Sequence, residues 1–317
     1  MQVADTIGKW VRSPRVRWVA TAALILVVIG GFLIALATQA GALREYDWRV
    51  EPAYLVVAAL VALGRGVPVV YPWWRIVTAW GHKLPWWRAV RVYFHSGLAR
   101  YLPGQWWFVV GRAYLAEREG IRRAATAAST AIETVLLTGS ALVIATLGLV
   151  TLQSDLFAAF YLFLFAAAIA ALMAESHHLI EQLSERLLRW KGYEPMPARL
   201  RLGDTTRILA GCYANWLMYG LTAALLLSGL ADKSYAMQTE SYVLQTLSVI
   251  GIFAMSVLGG AALLFVPQGI AVREGVLVYL LYTLLGVPVP LAIAVAVLTR
   301  LVAMLAEGVW ALVALKL

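Results

Sequence analysis

Apolar runs of about twenty residues, separated by short charged segments, decide what this chain can fold into. A helix rises 1.5 Å per residue, so about twenty residues cross the ~30 Å hydrocarbon core of a bilayer. Six such runs occur, at about 18–40, 53–71, 124–150, 156–174, 208–230 and 290–314. Of the 317 residues 62% are hydrophobic and only 14% charged, against roughly a quarter charged in soluble domains. A soluble fold cannot bury that much apolar surface. Inside lipid every backbone N–H and C=O needs an internal partner, which helices supply. The expected class is therefore an all-α integral membrane protein.

The formal charge of +9 reports orientation. The basic residues sit in clusters between apolar runs, as the positive-inside rule produces, with no basic soluble domain for nucleic acid. Lys9, Arg12, Arg15 and Arg17 precede the first run, whereas the loop after it sets Arg44 and Arg49 against Glu45, Asp47 and Glu51. The N-terminus is therefore expected in the cytoplasm, and alternation brings the C-terminus, at Lys316, to the same side of the cell membrane. The segment YPWWRIVTAWGHKLPWWRAVR and a long loop at 175–207 are expected there too. Trp73, Trp74, Trp86 and Trp87 read as an interfacial belt. Within the long loop, HHLIEQLSERLLRW has the spacing of an amphipathic interfacial helix. The first run is too long for a signal peptide's h-region and lacks a small-residue cleavage pattern, so it reads as a retained span. Cys212 stands alone, which excludes a disulfide framework.

Two further segments are apolar but interrupted. Between Val92 and Ala116 the chain is broken at Pro103-Gly104, and Arg118, Arg122 and Arg123 beyond it belong on the cytoplasmic side again. Helices usually end before a proline. Each leg is about a dozen residues, roughly 18 Å, too short to cross, so a re-entrant helical hairpin is expected. Between Tyr242 and Leu285 a second element is broken at Gly259-Gly260 and at Pro267-Gln268-Gly269. Its first leg is long enough to cross, so it fits either a re-entrant hairpin or two full spans. The expected architecture is about six full spans plus two Pro/Gly-broken hairpins in one polytopic domain, 1–317. Its halves, 1–151 and 152–317, have opposite starting sides, the layout of inverted-topology repeats whose broken helices mark a substrate site.

Charge inside a bilayer is costly and persists where it pairs or lines a cavity. Arg65 lies in the second run, Arg100 and Arg112 flank the first break, and Arg273-Glu274 follow the second. Glu133, Arg300 and Glu307 lie in later spans. Arg300 and Glu307 are seven residues apart, so they form one helical stripe or pair with neighbouring helices. Two readings fit the set: structural ion pairs that fix helix packing, or arginines gathered at two helix breaks as an anion site for a lipid phosphate. Gln105 and Gln268 follow the two prolines and are placed to donate to headgroup oxygens or to satisfy freed backbone carbonyls. Trp106 and Trp107 fit a lipid groove or an interfacial belt. His177, His178 and Glu181 have helical spacing but lie in the charged loop, where a solvated face is the simpler reading than a metal site. There is no Walker loop, nucleophile elbow or HExxH motif. No cofactor or metal is implied.

The segments ARYLPGQWWFVVGRAYLAEREGIRR and FVPQGIAVREGVLVYLLYTLLGVPVPLAIAVAVLTRLVAMLAE resemble the flippase-like membrane domain of the lysylphosphatidylglycerol synthase family. They are similar to its "LPG…G-R-A-Y-L" and "P-x-G-I-x-V-R-E-G" signatures, and the resemblance covers essentially the whole chain. Where members often read P-G-G-I-G, this chain has Pro267-Gln268-Gly269-Ile270-Ala271. The resemblance implies a helical domain that moves lipids between leaflets, with buried arginines at Arg112, Arg273 and Arg300 and acidic partners at Glu274 and Glu133. It implies a stand-alone member without the aminoacyl-transferase domain, hence no lysine transfer and no enzyme activity.

The expected function is a flippase or transporter for an anionic phospholipid or a polyprenyl-phosphate-linked glycolipid. Arg100, Gln105, Arg112, Gln268, Arg273 and Arg300 would hold the headgroup, with Glu133, Glu274 and Glu307 as charge partners. The alternative is a membrane accessory protein that presents a lipid-linked substrate to a glycosyltransferase. The sequence leaves the lipid's identity and the oligomeric state open.

Overall fold

The computed structural model describes residues 37, 40–101, 107–152, 155, 158–170, 200–231, 241–262 and 267–316. Among these residues every regular element is helical. A short helix, α1 (Ala40–Glu45), leads into α2 (Pro52–Gly64) and α3 (Gly66–Ala79). Pro52 opens α2 where its missing N–H costs nothing. Arg65 between α2 and α3 keeps helical angles (φ −57°, ψ −22°), so Pro52–Ala79 forms a single membrane-length span.

There follow α4 (Trp86–Gly97), a 3₁₀ turn (Leu98–Tyr101), α5 (Trp107–Glu117) and α6 (Arg123–Val150). Next come α7 (Ala158–Ala170), α8 (Leu202–Leu230) and α9 (Tyr242–Ala262). A second 3₁₀ turn (Pro267–Gly269), α10 (Val272–Leu285) and α11 (Val289–Leu315) complete the chain. A left-handed Gly286 (φ 62°) ends α10, and Pro288 and Pro290 lead into α11. Five helices among the described residues are long and apolar enough to cross a membrane: α2–α3, α6, α8, α9 and α11. The first expected span, apart from residues 37 and 40, and the amphipathic loop helix lie outside the described residues.

Among the spans two boundaries differ from expectation, and the first broken element begins at Trp86 rather than Val92. The second span runs on past Tyr71 to Ala79, because Arg75 finds a carboxylate, Asp204, 2.6 Å away on α8. The fifth begins at Leu202 rather than 208, which makes helix of the end of the supposed 175–207 loop. The expected interfacial role of Trp73 is also corrected: its ring is fully buried and its indole N–H donates to Ser129 Oγ at 3.1 Å. Trp87 is half exposed, as a belt residue would be.

Packing is close because small residues stand at the crossings, as in membrane helix bundles generally. α6 and α9 cross at Gly148 and Gly251, and a Cβ built on Gly148 would lie 2.4 Å from the Gly251 Cα. The central helix α8 packs against α2, α3, α6, α9 and α11. One buried cluster, around Phe253, Leu277, Leu281 and Leu291, joins α8 to α11. Another, around Trp73, Val90 and Ile121, joins α3 to α4 and α5. Each interrupted segment comprises two helices packed on each other, α4 on α5 and α9 on α10, and their two 3₁₀ turns touch.

Candidate functional site

The breaks meet at a polar cavity of about 280 Å³. Its wall draws one or more residues from nearly every long element: Arg65 from the α2–α3 span, Tyr93 from α4, Arg100 from the first turn and Arg112 from α5. Glu133 comes from α6, Asn215 and Tyr219 from α8, Gln268 from the second turn, Arg273 from α10 and Glu307 from α11. Val69, Phe108, Leu137, Trp216, Val257, Leu258 and Ala261 make the apolar part. Four arginines thus face two glutamates.

Each charge is held by neighbours from other helices. Arg112 donates through Nη1 to Glu133 Oε2 in an ion pair whose side chains are 1% and 3% exposed. The Tyr93 hydroxyl donates to the other carboxylate oxygen, Oε1, at 2.9 Å. The Arg112 guanidinium lies 4.1 Å from the Tyr93 ring centre and 5.2 Å from that of Trp73, a cation–π setting that partly replaces water. Breaking such a pair leaves an uncompensated buried charge, so the pair fixes α5 on α6.

Across the cavity Arg65 donates to Asn215 Oδ1 and to Glu307 Oε1, both at 3.2 Å, and stacks on Tyr219 at 4.2 Å. Arg100 approaches the same Glu307 oxygen at 3.9 Å. Arg273 donates to the Tyr219 hydroxyl at 3.0 Å and lies 5.1 Å from the Phe253 ring centre. Several N–H groups of this lining make no hydrogen bond: Nε of Arg65, Arg112 and Arg273, Nη2 of Arg273 and Nε2 of Gln268, although Arg273 Nε lies 3.9 Å from Glu274 Oε1. Buried donors in that state cost about 1–3 kcal/mol each.

The second break is strained. Gln268 and Ala271 have φ of 51° and 66°, the left-handed region that glycine adopts most readily. They are the positions where the P-G-G-I-G pattern puts glycine, and Gly269 between them is left-handed as well. A carboxylate pins this turn: Glu274 Oε2 accepts the Ala271 N–H at 2.7 Å, while its Oε1 accepts from Arg300 at 2.8 Å. A Cβ on Gly269 would lie 2.7 Å from Gly260 Cα, so the turn folds back onto the end of α9.

Of the residues singled out in the sequence, Arg100, Arg112, Gln268, Arg273, Glu133 and Glu307 share the cavity. Arg300 and Glu274 pair with each other and do not line it; they brace the second break instead. Gln105 and Trp106 lie outside the described residues, as do His177, His178 and Glu181, while Trp107 is half exposed. Glu307 and Arg300, on one helix, pair with different helices rather than forming one stripe. Arg65 stood out as a charge in an apolar run, but its part in the wall did not. Tyr93, Asn215 and Tyr219 had no distinguishing signal, since a tyrosine or asparagine within an apolar run is common. Among the described residues no cluster of three His, Cys, Asp or Glu side chains is placed to hold a metal.

Apart from these charges, Glu119 lies in the turn after α5. Burial pulls its pKa upward, but hydrogen bonds from Arg91 and Arg88 (both 2.9 Å) and their charges outweigh it, so the carboxyl titrates below its ordinary value. The pair clamps the start of α4 to the end of α5.

The family model described as "Lysylphosphatidylglycerol synthase TM region" matches residues 19–309. No curated protein and no solved structure matches the chain.

Proposed function

The chain belongs to the lysylphosphatidylglycerol synthase transmembrane family, a multi-pass membrane domain concerned with lipids, and from that premise we propose that it carries an anionic lipid between leaflets. The lipid is a phospholipid or a polyprenyl-phosphate-linked glycolipid whose headgroup enters the central cavity. The observation that carries this reading is the excess of arginine over glutamate in the wall, four against two, together with buried donors there that make no hydrogen bond. Guanidinium groups suit phosphate oxygens in geometry and charge. At about 280 Å³ the cavity lies just below the range of ligand pockets, roughly 300–1,000 Å³, which suits a headgroup whose tails stay in lipid.

The contact between the two breaks supports a moving part. Halves 1–151 and 152–317 rocking about that junction would open the cavity to one leaflet and then the other, the behaviour of inverted repeats built on broken helices. In this reading both termini lie in the cytoplasm of the cell, as the positive-inside rule favours for the Lys and Arg clusters. The reading is of a carrier and not of an enzyme.

The test is headgroup exchange between leaflets of vesicles containing the purified chain and a labelled anionic phospholipid or polyprenyl phosphate. Wild type should accelerate exchange and Arg273→Ala should abolish most of that acceleration. Equal exchange by both proteins overturns the transport reading. Lipid binding without accelerated exchange by wild type also overturns it, in favour of a protein that presents its lipid to a separate glycosyltransferase.

A further inference from the structure

A second cavity, of about 290 Å³, opens at the end of the bundle where α2 and α9 begin and α8 finishes. Its polar wall is Arg49 and Glu51 just before α2, Tyr54 within it, Ser228 near the end of α8, and Tyr242 and Gln245 on the first turn of α9. Leu227 and Ala231 supply the apolar part. None of these residues lines the central cavity. Tyr54 precedes Arg65 by eleven residues, Ser228 follows Tyr219 by nine, and Gln245 precedes Leu258 by thirteen. At 1.5 Å per residue the three helices agree on a separation of roughly 13–20 Å along the bundle.

The chemistry of this wall differs from that of the centre. Arg49 donates through Nε to Glu51 Oε1 at 2.8 Å, so the one cation and the one carboxylate among the described lining residues cancel. No net charge draws a phosphate here. The two side chains are 47% and 41% exposed, and an ion pair that open to water adds little to stability. What the pair does supply is two planar polar groups beside a carboxamide, a serine hydroxyl and two phenol hydroxyls, donors and acceptors together. Tyr54 and Tyr242 are both exposed, so ring faces are on offer as well as hydroxyls. Interfacial tyrosines commonly serve only as a belt. A belt residue needs no cavity beside it, whereas these two, from different helices, share one with four more polar side chains.

A sugar ring matches that wall. Its rim carries hydroxyls, each a donor and an acceptor, and its faces carry C–H groups that pack on aromatic rings. We infer that this cavity is a second binding site, for the sugar of a glycosylated lipid whose tails lie in the adjoining leaflet. The positive-inside rule favours the outer leaflet, because Arg201 and Arg207 stand at the opposite end of α8. The inference goes beyond the anionic-lipid reading and does not need it, since a one-sugar headgroup held here does not reach the central arginines.

The experiment isolates the sugar from charge. Purified full-length chain in an amine-oxide detergent, which carries no sugar of its own, is titrated with a fluorescent glucosyl diacylglycerol and with the same diacylglycerol lacking glucose. Neither lipid is charged. The glucosyl lipid should bind at least about tenfold more tightly, the scale of one or two net hydrogen bonds. Tyr54→Ala and Gln245→Ala should each cut that preference at least about threefold, the scale of a single hydrogen bond at the weak end of its range. Arg273→Ala, in the central cavity, should leave the preference in place. Equal affinity of wild type for the two lipids overturns the inference. A preference that survives both Tyr54→Ala and Gln245→Ala also overturns it, and its loss in Arg273→Ala would then put the sugar in the central cavity. Should one wall variant not fold, the other decides. Leaflet exchange of an anionic lipid tests the central cavity separately, so either reading can fail while the other stands.

Discussion

Gly148 of α6 and Gly251 of α9 meet backbone to backbone, so close that a Cβ on Gly148 would lie 2.4 Å from the Gly251 Cα and one on Gly251 equally near the Gly148 Cα. The crossing sets the distance between the helix that carries Glu133 and the helix that ends at the second break. Neither is free to retreat. α8 packs on both, and a Cβ built on its Gly220 would lie 2.7 Å from Ile250 Cα.

Gly251→Ala should therefore destabilise the protein by about 1–3 kcal/mol, the range for overpacked cores. Thermal unfolding in detergent measures it. Gly203→Ala, where a Cβ meets nothing within 4 Å, should leave the transition in place; equal shifts for both variants would refute the close-crossing argument.

The buried pair predicts an asymmetry between single and double variants. Arg112→Leu leaves Glu133 with the Tyr93 hydroxyl alone and should cost about 3–5 kcal/mol, as uncompensated buried charges do. Arg112→Leu with Glu133→Leu should recover most of that stability. Unfolding of the three proteins by denaturant checks it, and a double variant as weak as the single would show that the pair is not the source of the loss.

Ala271 offers a change expected to stabilise. Its backbone is left-handed (φ 66°), which costs a residue with a Cβ roughly 1–2 kcal/mol. Glycine removes that cost at the expense of a looser unfolded chain. Ala271→Gly should raise the melting temperature. Gly269→Ala should lower it, because glycine there is both left-handed and pressed against Gly260.

Glu119 gives a pH dependence. Its folded pKa lies below the ordinary 4.5 through Arg91 and Arg88, despite burial acting the other way. A lowered carboxyl pKa contributes stability that is present above the unfolded value and lost as pH falls through the folded one. Wild type should therefore be more stable than Glu119→Gln at pH 7, with the difference shrinking once pH drops below about 4.5. Melting temperatures of both proteins between pH 7 and pH 3 test the sign.

Much of the fold was legible because lipid makes two kinds of sequence signal costly to fake. The bounds of α6 and α11 were read to within a residue or so from apolar length alone. Charges in apolar runs announced the cavity, and six of the nine residues chosen for it, or for its counter-charges, line its wall. The resemblance names Glu133 and Glu274 as acidic partners, but which arginine each one takes escaped. Nothing local to Arg300 tells that Glu274 will take it out of the wall, since their meeting depends on how α10 lies against α11. Trp73 was misassigned for a related reason: beside a cationic loop a tryptophan looks interfacial, and only the approach of α4, α5 and α6 buries it against Arg112 and Ser129. The glycine pattern at the second break was informative in a way its letters disguised, because Gln268 and Ala271 keep the glycine backbone without the glycine.

The partner of Arg65 is Glu307, 242 residues further along the chain. A ribosome adds roughly 5–20 residues per second, so Arg65 is synthesised roughly 12–48 seconds before the carboxylate that neutralises it. Through that interval the α2–α3 span carries a cation midway along its length with no acid from the same pair, and a charge there is unwelcome in lipid. The nascent bundle therefore cannot reach its final form helix by helix. Its early helices wait, and the arrival of α11 closes the assembly as a keystone closes an arch.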